Sequence, residues 1–253
     1  MVNTIMSVNE DAFISKISRY ITPSASEIVA LKKILANDVK CVARVELIED
    51  YEIFGPIFIL NKGWGYSFRD LPNGLRQIID FILPGDIFGL QEIFLGGSNL
   101  GFASITSVDA AVVSPRTLLG MSRQWPRLGG AILWSASLQG SIAAERLVAL
   151  GRRSAAGRMA HLLLELSIRL EFIGQGSPSG FFCPLTQHDL ANALGLTPVH
   201  VNRVLRHLRQ LELVVFRNSK VEFLDRQGLI DIAHFDAAYL GRNRDASRKI
   251  FGN

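Results

Sequence analysis

The stretch from Leu185 to Leu224, LTQHDLANALGLTPVHVNRVLRHLRQLELVVFRNSKVEFL, constrains this chain more than any other. Thr186 stands where a helix N-cap belongs, with Asp189 three residues on. A helix from there reaches Leu194, and Gly195 supplies a turn that residues with a β-carbon resist. Thr197 caps a second helix, at about 198–211, and Pro198 takes its first position, where the missing N–H costs nothing. Leu190, Leu194, Leu196, Val201 and Val204 form the apolar contact, and Ala191 is small where the helices approach. Two helices crossing steeply at a short turn satisfy this pattern. Next, VVFRNSKVEFL places two β-rich runs around the polar turn Arg217-Asn218-Ser219-Lys220, which reads as a hairpin. The whole is a helix-turn-helix followed by a wing.

With Val201, Val204, Leu205 and Leu208 inward, the second helix exposes Val199, His200, Asn202, Arg203 and Arg206. In a helix-turn-helix that face enters the DNA major groove. Arg203 has the fork to bond guanine twice, Asn202 can pair with adenine or a phosphate, and Pro198 or Val199 can touch a thymine methyl. Arg206 and Arg209 suit phosphates, as do Arg217 and Lys220 at the tip of the wing. The candidate DNA-contacting set is Thr186, Gln187, Thr197, Pro198, Val199, His200, Asn202, Arg203, Arg206, Arg217 and Lys220. A solvated basic face is the plain alternative for Arg206, and a mere surface position for His200.

Upstream, two short helical stretches open the chain. One covers about Asp11–Arg19. The other is SASEIVALKKIL, with Ser24 and Glu27 at capping-box spacing. From about Val39 to Ser114, short runs of Val, Ile, Phe and Tyr alternate with turns such as Asn61-Lys62-Gly63 and Leu83-Pro84-Gly85-Asp86. This spacing predicts a small antiparallel barrel or roll. Trp64, Tyr66 and Phe68 share one strand face, which is either core or the wall of a ligand pocket. A long helix follows over about Arg127–Leu150. Its stripe of Leu128, Ala131, Ser135, Leu138, Ile142 and Ala149 suits close packing, on a second copy or on its own domain. Gly151-Arg152-Arg153-Ser154 reads as a hinge. An amphipathic helix over about Ser154–Phe172 and a loop, GQGSPS, lead to the motif.

Charge follows this division. Residues 1–126 carry 11 Lys and Arg against 13 Asp and Glu, a net −2, and residues 127–253 carry 16 against 10, a net +6. The basic half is the one expected to meet phosphates. No run of 18 apolar residues predicts a membrane span, and the acidic N-terminus does not read as a signal peptide, so a cytoplasmic protein is expected. Two distant cysteines, Cys41 and Cys183, cannot build a four-cysteine cluster or zinc site unaided, and no metal or cofactor is expected. They read as reduced thiols, with a redox role as the alternative. His200 and His207 lack a third ligand. There is no H-E-x-x-H, P-loop or G-x-S-x-G, so no enzyme is expected.

In LTQHDLANALGLTPVHVNRVLRHLRQLELV, and in GRRSAAGRMAHLLLELSIRL before it, the chain resembles the Crp/Fnr family of bacterial transcription regulators. The turn-rich LPGDIFG region resembles that family's cyclic-nucleotide-binding-type roll. The resemblance runs from about residue 10 to 240. It implies an α+β protein: a sensor over 1–126 built as a jelly-roll-like antiparallel β-roll, a dimerisation helix over 127–150 and a winged helix-turn-helix domain over 151–253. It further implies a homodimer on inverted-repeat double-stranded DNA, with RNA polymerase as partner of an activator. It places Pro198, Val199, Asn202 and Arg203 at base-reading positions, Arg203 on a guanine. A small-molecule effector would use a pocket at Gly85, Asp86, Gly89, Leu90 and Gln91. Cyclic AMP is not the expected effector. Leu90 replaces the glutamate that holds the ribose, and no Lys or Arg occurs from Gln77 to Pro115.

Overall fold

The run Ile57-Phe58-Ile59-Leu60 has no polar face, and the fold buries it on both sides. The computed structural model describes residues 11–48, 57–90, 95 and 100–241. Among the described residues, eight short strands belong to the N-terminal part: β1 (Asp38–Cys41), β2 (Glu46–Ile48), β3 (Ile57–Lys62), β4 (Gly65–Asp70), β5 (Arg76–Ile82), β6 (Ile87–Phe88), β7 (Gly101–Ser104) and β8 (Val108–Val113). They make two antiparallel sheets, ordered β1-β8-β3-β6 and β2-β7-β4-β5. Successive side chains of β3 point to opposite faces. Phe58 and Leu60 join Ile82, Phe88, Phe102 and Val108 in one core. Ile57 and Ile59 join Phe13, Ile17 and Leu31 of α1 (Ala12–Ile17) and α2 (Ala25–Leu35) in another. Ser24 and Glu27 close the capping box expected of them.

Helix α3 (Pro115–Gln124) leads into α4 (Pro126–Arg152), whose 27 residues span about 40 Å at 1.5 Å per residue. The stripe Leu128, Ala131, Ser135, Leu138, Ile142 and Ala149 is buried within the single chain. Of its two sequence readings, packing on its own domain is the one observed. Another stripe stays open: Leu133, Ser137, Gly140, Ala144, Leu147 and Gly151 are all exposed, with Leu133 at 64% and Leu147 at 73%. These six positions alternate at spacings of four and three, the repeat of a coiled-coil seam.

Arg153 leaves the helix in an extended conformation and Ser154 caps α5 (Ala155–Glu171), so the chain turns where the hinge was expected. Helix α5 differs from its sequence reading. An amphipathic helix should show a polar face to water, yet His161, Glu165, Ser167 and Arg169 are all buried. The reason is that α5 is central. Helix α4, the later helices and a small sheet surround it, and Glu165, Ser167 and Arg169 meet hydrogen-bond partners there.

The remainder is β9 (Gly176–Ser177), β10 (Gly180–Phe182), α6 (Gln187–Leu194), α7 (Pro198–Gln210), β11 (Val214–Arg217), β12 (Lys220–Phe223), α8 (Arg226–Ala233) and a 3-10 turn at Ala237–Leu240. The wing is a four-stranded antiparallel sheet, ordered β11-β12-β10-β9. Part of the expected GQGSPS loop is therefore strand. Met159, Leu163, Leu190, Val201, Leu208 and Val221 share a core with Trp64, Ile78 and Phe81 of the roll. Trp64 thus serves as core, of the two readings given to the aromatic strand. Among the described residues, no helix is long and apolar enough to cross a membrane.

Candidate nucleic-acid interface

Local chemistry builds the two helices. Oγ1 of Thr186 accepts from the Asp189 N–H at 3.2 Å, and Asp189 Oδ2 accepts from the Thr186 N–H at 2.8 Å. The reciprocal pair satisfies two donors that a helix start leaves open. Gly195 ends α6 at φ 62, ψ 41, a left-handed conformation that favours glycine. Nη1 of Arg158, from α5, donates to the Leu194 carbonyl at 3.1 Å and closes the same helix end. Thr197 then caps α7, its Oγ1 accepting from the His200 N–H at 3.2 Å, and Pro198 follows at the first helical position.

Val201, Val204 and Leu208 bury one side of α7. On the other, Val199 is 71% exposed, and Asn202, Arg203 and Arg206 are exposed with it. Positions three, four and seven apart share a helix face, so these four form one stripe. Among the described residues, none of the three polar side chains takes part in a hydrogen bond or ion pair within the chain. Their donors are free for an external partner. Pro198 and His200 lie half-buried at the start of the stripe, and Thr186, Gln187 and Thr197 are exposed beside it.

At the wing, Arg217 pairs with Lys220 across a two-residue turn. Asn218 and Ser219 both have positive φ, 49° and 55°, as the tightest hairpins require. Among the described residues the Arg217 side chain has no partner, whereas the Lys220 ammonium is bound to Glu222. Cys183, just before α6, is buried, and burial pushes its thiol up to about 12, so no thiolate forms near neutral pH.

The five residues expected around a ligand are not equivalent. Gly85 has φ 86, and a β-carbon there would stand 2.7 Å from the Ala12 carbonyl oxygen, so it packs on α1. Asp86 is fully enclosed. It binds the Lys16 ammonium, accepts from the Leu83 N–H at 2.7 Å and pairs with Arg169 at 2.7 Å. Gly89 and Leu90 do line a cavity, of about 750 Å³, between the roll and α4. Gln91 lies outside the described residues. The described cavity wall is mostly apolar, with Ser67, Asp80, Ser122 and Gln139 as polar members and no Lys or Arg.

Sequence reading missed the polar lattice beneath the interface. Arg169 of α5 donates to Asp80 at 2.9 Å, Glu165 at 3.0 Å, Asp86 at 2.7 Å and the Phe81 carbonyl at 2.7 Å. Arg146 of α4 pairs with Asp80 and Glu165, each at 2.9 Å. Three cations (Lys16, Arg146 and Arg169) and three carboxylates balance where roll, long helix and C-terminal helices meet. Burial opposes the charge on Asp86, but Lys16 and Arg169 outweigh it and hold the carboxyl below its usual range.

Residues 157–232, which span this motif and its wing, match the Crp-like helix-turn-helix domain. The nitrogen fixation regulation protein FixK of Rhizobium meliloti is 32% identical over 60% of this chain and 66% of its own length. The chain thus spans about two thirds of that relative. The fumarate and nitrate reduction regulatory protein of Vibrio cholerae is 26% identical over 88% of this chain and 89% of its own. This chain belongs to the Crp/Fnr family. Crp/Fnr proteins are DNA-binding transcription regulators, typically dimeric, and not enzymes. The transcriptional activatory protein AadR of Rhodopseudomonas palustris is similar too, at 29% over 76% of this chain and 79% of its own. The Crp/Fnr fold is matched in FixK2 from Bradyrhizobium japonicum, with a TM-score of 0.71 at 23% identity over 79% of this chain and 98% of that one.

Proposed function

We propose that this regulator binds inverted-repeat promoter DNA as a homodimer, with α7 in the major groove and Arg203 on a guanine of each half-site. The stripe of Val199, Asn202, Arg203 and Arg206 carries this reading. It is exposed and, among the described residues, free of internal polar partners, on a helix whose opposite side is locked by Val201, Val204 and Leu208. Asn202 and Arg203 read base edges, Pro198 and Val199 offer apolar contact to thymine methyls, and Arg206, Arg217 and Lys220 take phosphates. Thr186, Gln187, Thr197 and His200 complete the contact set.

The open seam of α4, from Leu133 to Gly151, is the surface for the second copy. It replaces the inward stripe as the dimer contact. The chain divides by role into a sensor up to residue 126, the dimer helix and a reading domain from residue 151. The protein acts in the bacterial cytoplasm, and as an activator it would also meet RNA polymerase. Selection of bound sites from random DNA tests this function. It should return a palindrome with half-sites about one helical turn apart, and a pool without any palindrome would refute it.

The cavity beside Gly89 and Leu90 favours a second role for the roll, as receptor for an apolar small molecule. Its described wall offers no cation for a cyclic phosphate. Calorimetric titration should therefore show no heat with cyclic AMP. A melting temperature unmoved by any compound in a metabolite panel would make the roll a scaffold instead.

A further inference from the structure

Arg44 belongs to the roll but stands at the reading motif. It lies in the turn between β1 and β2 with φ 61. Its N–H donates to the Ser104 carbonyl at 3.1 Å, and the next N–H, of Val45, donates to Ser104 Oγ at 3.0 Å. The turn is thereby fixed on β7. From there Arg44 Nη1 reaches Asp189 Oδ1 at 2.9 Å, across 145 residues of sequence. Asp189 is the acid of the Thr186 capping box, so the guanidinium lies against the start of α6. A second contact holds the other end of α6 on the roll: Gln77 Nε2 donates to the Ala193 carbonyl at 3.3 Å.

In a helix-turn-helix the first helix crosses the DNA backbone while the second enters the groove. The start of α6 carries the exposed Thr186 and Gln187, both in the proposed contact set. The Asp189 carboxylate beneath them is a poor neighbour for phosphates, and Arg44 neutralises it. The pair does not use up the arginine. A guanidinium has five donors in a planar fork. Here Nη1 alone makes a side-chain hydrogen bond among the described residues, and the side chain is 44% exposed.

We infer that Arg44 is a DNA phosphate contact supplied by the sensor domain. The inference rests on the proposed binding mode and adds a residue outside the helix-turn-helix domain to it. It also gives the roll a direct hold on affinity. Any shift of the roll against α6 carries Arg44 away from the backbone, with no change in the recognition helix itself.

Salt dependence tests this. Binding of the full-length protein to its selected palindrome is followed by fluorescence anisotropy over a range of salt concentrations. Each neutralised phosphate adds about 0.9 to the slope of log K against log salt, so Arg44→Ala should lower the slope of a dimer by about 2. Arg44→Lys should keep it. Arg44→Gln, which can still donate to Asp189 but lacks the charge, should lose it while leaving the melting temperature unchanged. An unaltered slope in Arg44→Ala and Arg44→Gln overturns the inference, whether or not affinity falls, because Arg44 would then serve docking alone. Failure of the wild type to select any site would instead strike the binding mode.

Discussion

Nη2 of Arg169, on the first helix of the reading domain, lies 2.7 Å from Oδ2 of Asp86 in a turn of the roll. Both groups are buried, and the same guanidinium also binds Asp80 and Glu165. A buried lattice of this kind favours one arrangement of its parts more than it adds stability, since desolvation consumes most of the Coulombic gain. Removing one member is different, because the remaining charges stay buried.

Arg169→Met should therefore destabilise the chain by about 3–5 kcal/mol, toward the lower end because Lys16 still holds Asp86 and Arg146 still holds Asp80 and Glu165. Arg169→Lys should recover only part of the loss, since an ammonium lacks the planar fork. Urea unfolding measures both. A variant with wild-type stability would mean that the lattice is dispensable.

Local signals were legible in the sequence, and long-range ones were not. Thr186 with Asp189, Ser24 with Glu27, and Gly195 each act within a few residues, and each forms as the spacing predicts. The partners of Arg169 lie 83 and 89 residues away in the roll, so nothing near Arg169 announces that an apparently polar face of α5 will be buried. Helix α4 was ambiguous for a related reason. It carries two stripes of small and apolar residues, and only the tertiary fold decides which one turns inward. Strand β9 has two residues, too few for periodicity to register. Arg44 carries no local mark at all, since its position beside Asp189 depends on how the roll docks.

The open seam of α4 leads to a prediction about assembly. Leu133→Glu with Leu147→Glu should convert a dimer to a monomer in sedimentation, with helix content unchanged, because both side chains already face solvent within one chain. Gly140, between them, has open space where a β-carbon would stand, and with Leu133 it also edges the cavity beside Gly89. A double variant that stays dimeric would move the interface elsewhere.

His161 gives the chain an acid sensitivity. Burial pushes its imidazole down to about 4 from an ordinary 6.5, and its Nε2 lies 3.5 Å from Glu145 without a hydrogen bond. Glu165 favours its protonated form and Arg153 opposes it. Between those two values the unfolded chain binds a proton that the folded chain excludes. The neutral imidazole is thus fully compatible with folding above about 6.5, and stability falls as pH drops toward about 4. At about 1.36 kcal/mol per pKa unit, the loss is on the order of 3 kcal/mol. Urea midpoints at a series of pH values should fall more steeply for the wild type than for His161→Leu. Parallel curves would contradict the assignment.

Base reading by α7 is tested most directly at Arg203. Affinities of wild type and Arg203→Ala should be compared on the selected palindrome and on every single-base change within one half-site. The wild type should discriminate at one guanine by about 1–3 kcal/mol, and Arg203→Ala should lose that discrimination while still preferring the remaining bases. Equal discrimination by the two proteins at every position, or a uniform weakening across all sites, would contradict base reading by this arginine.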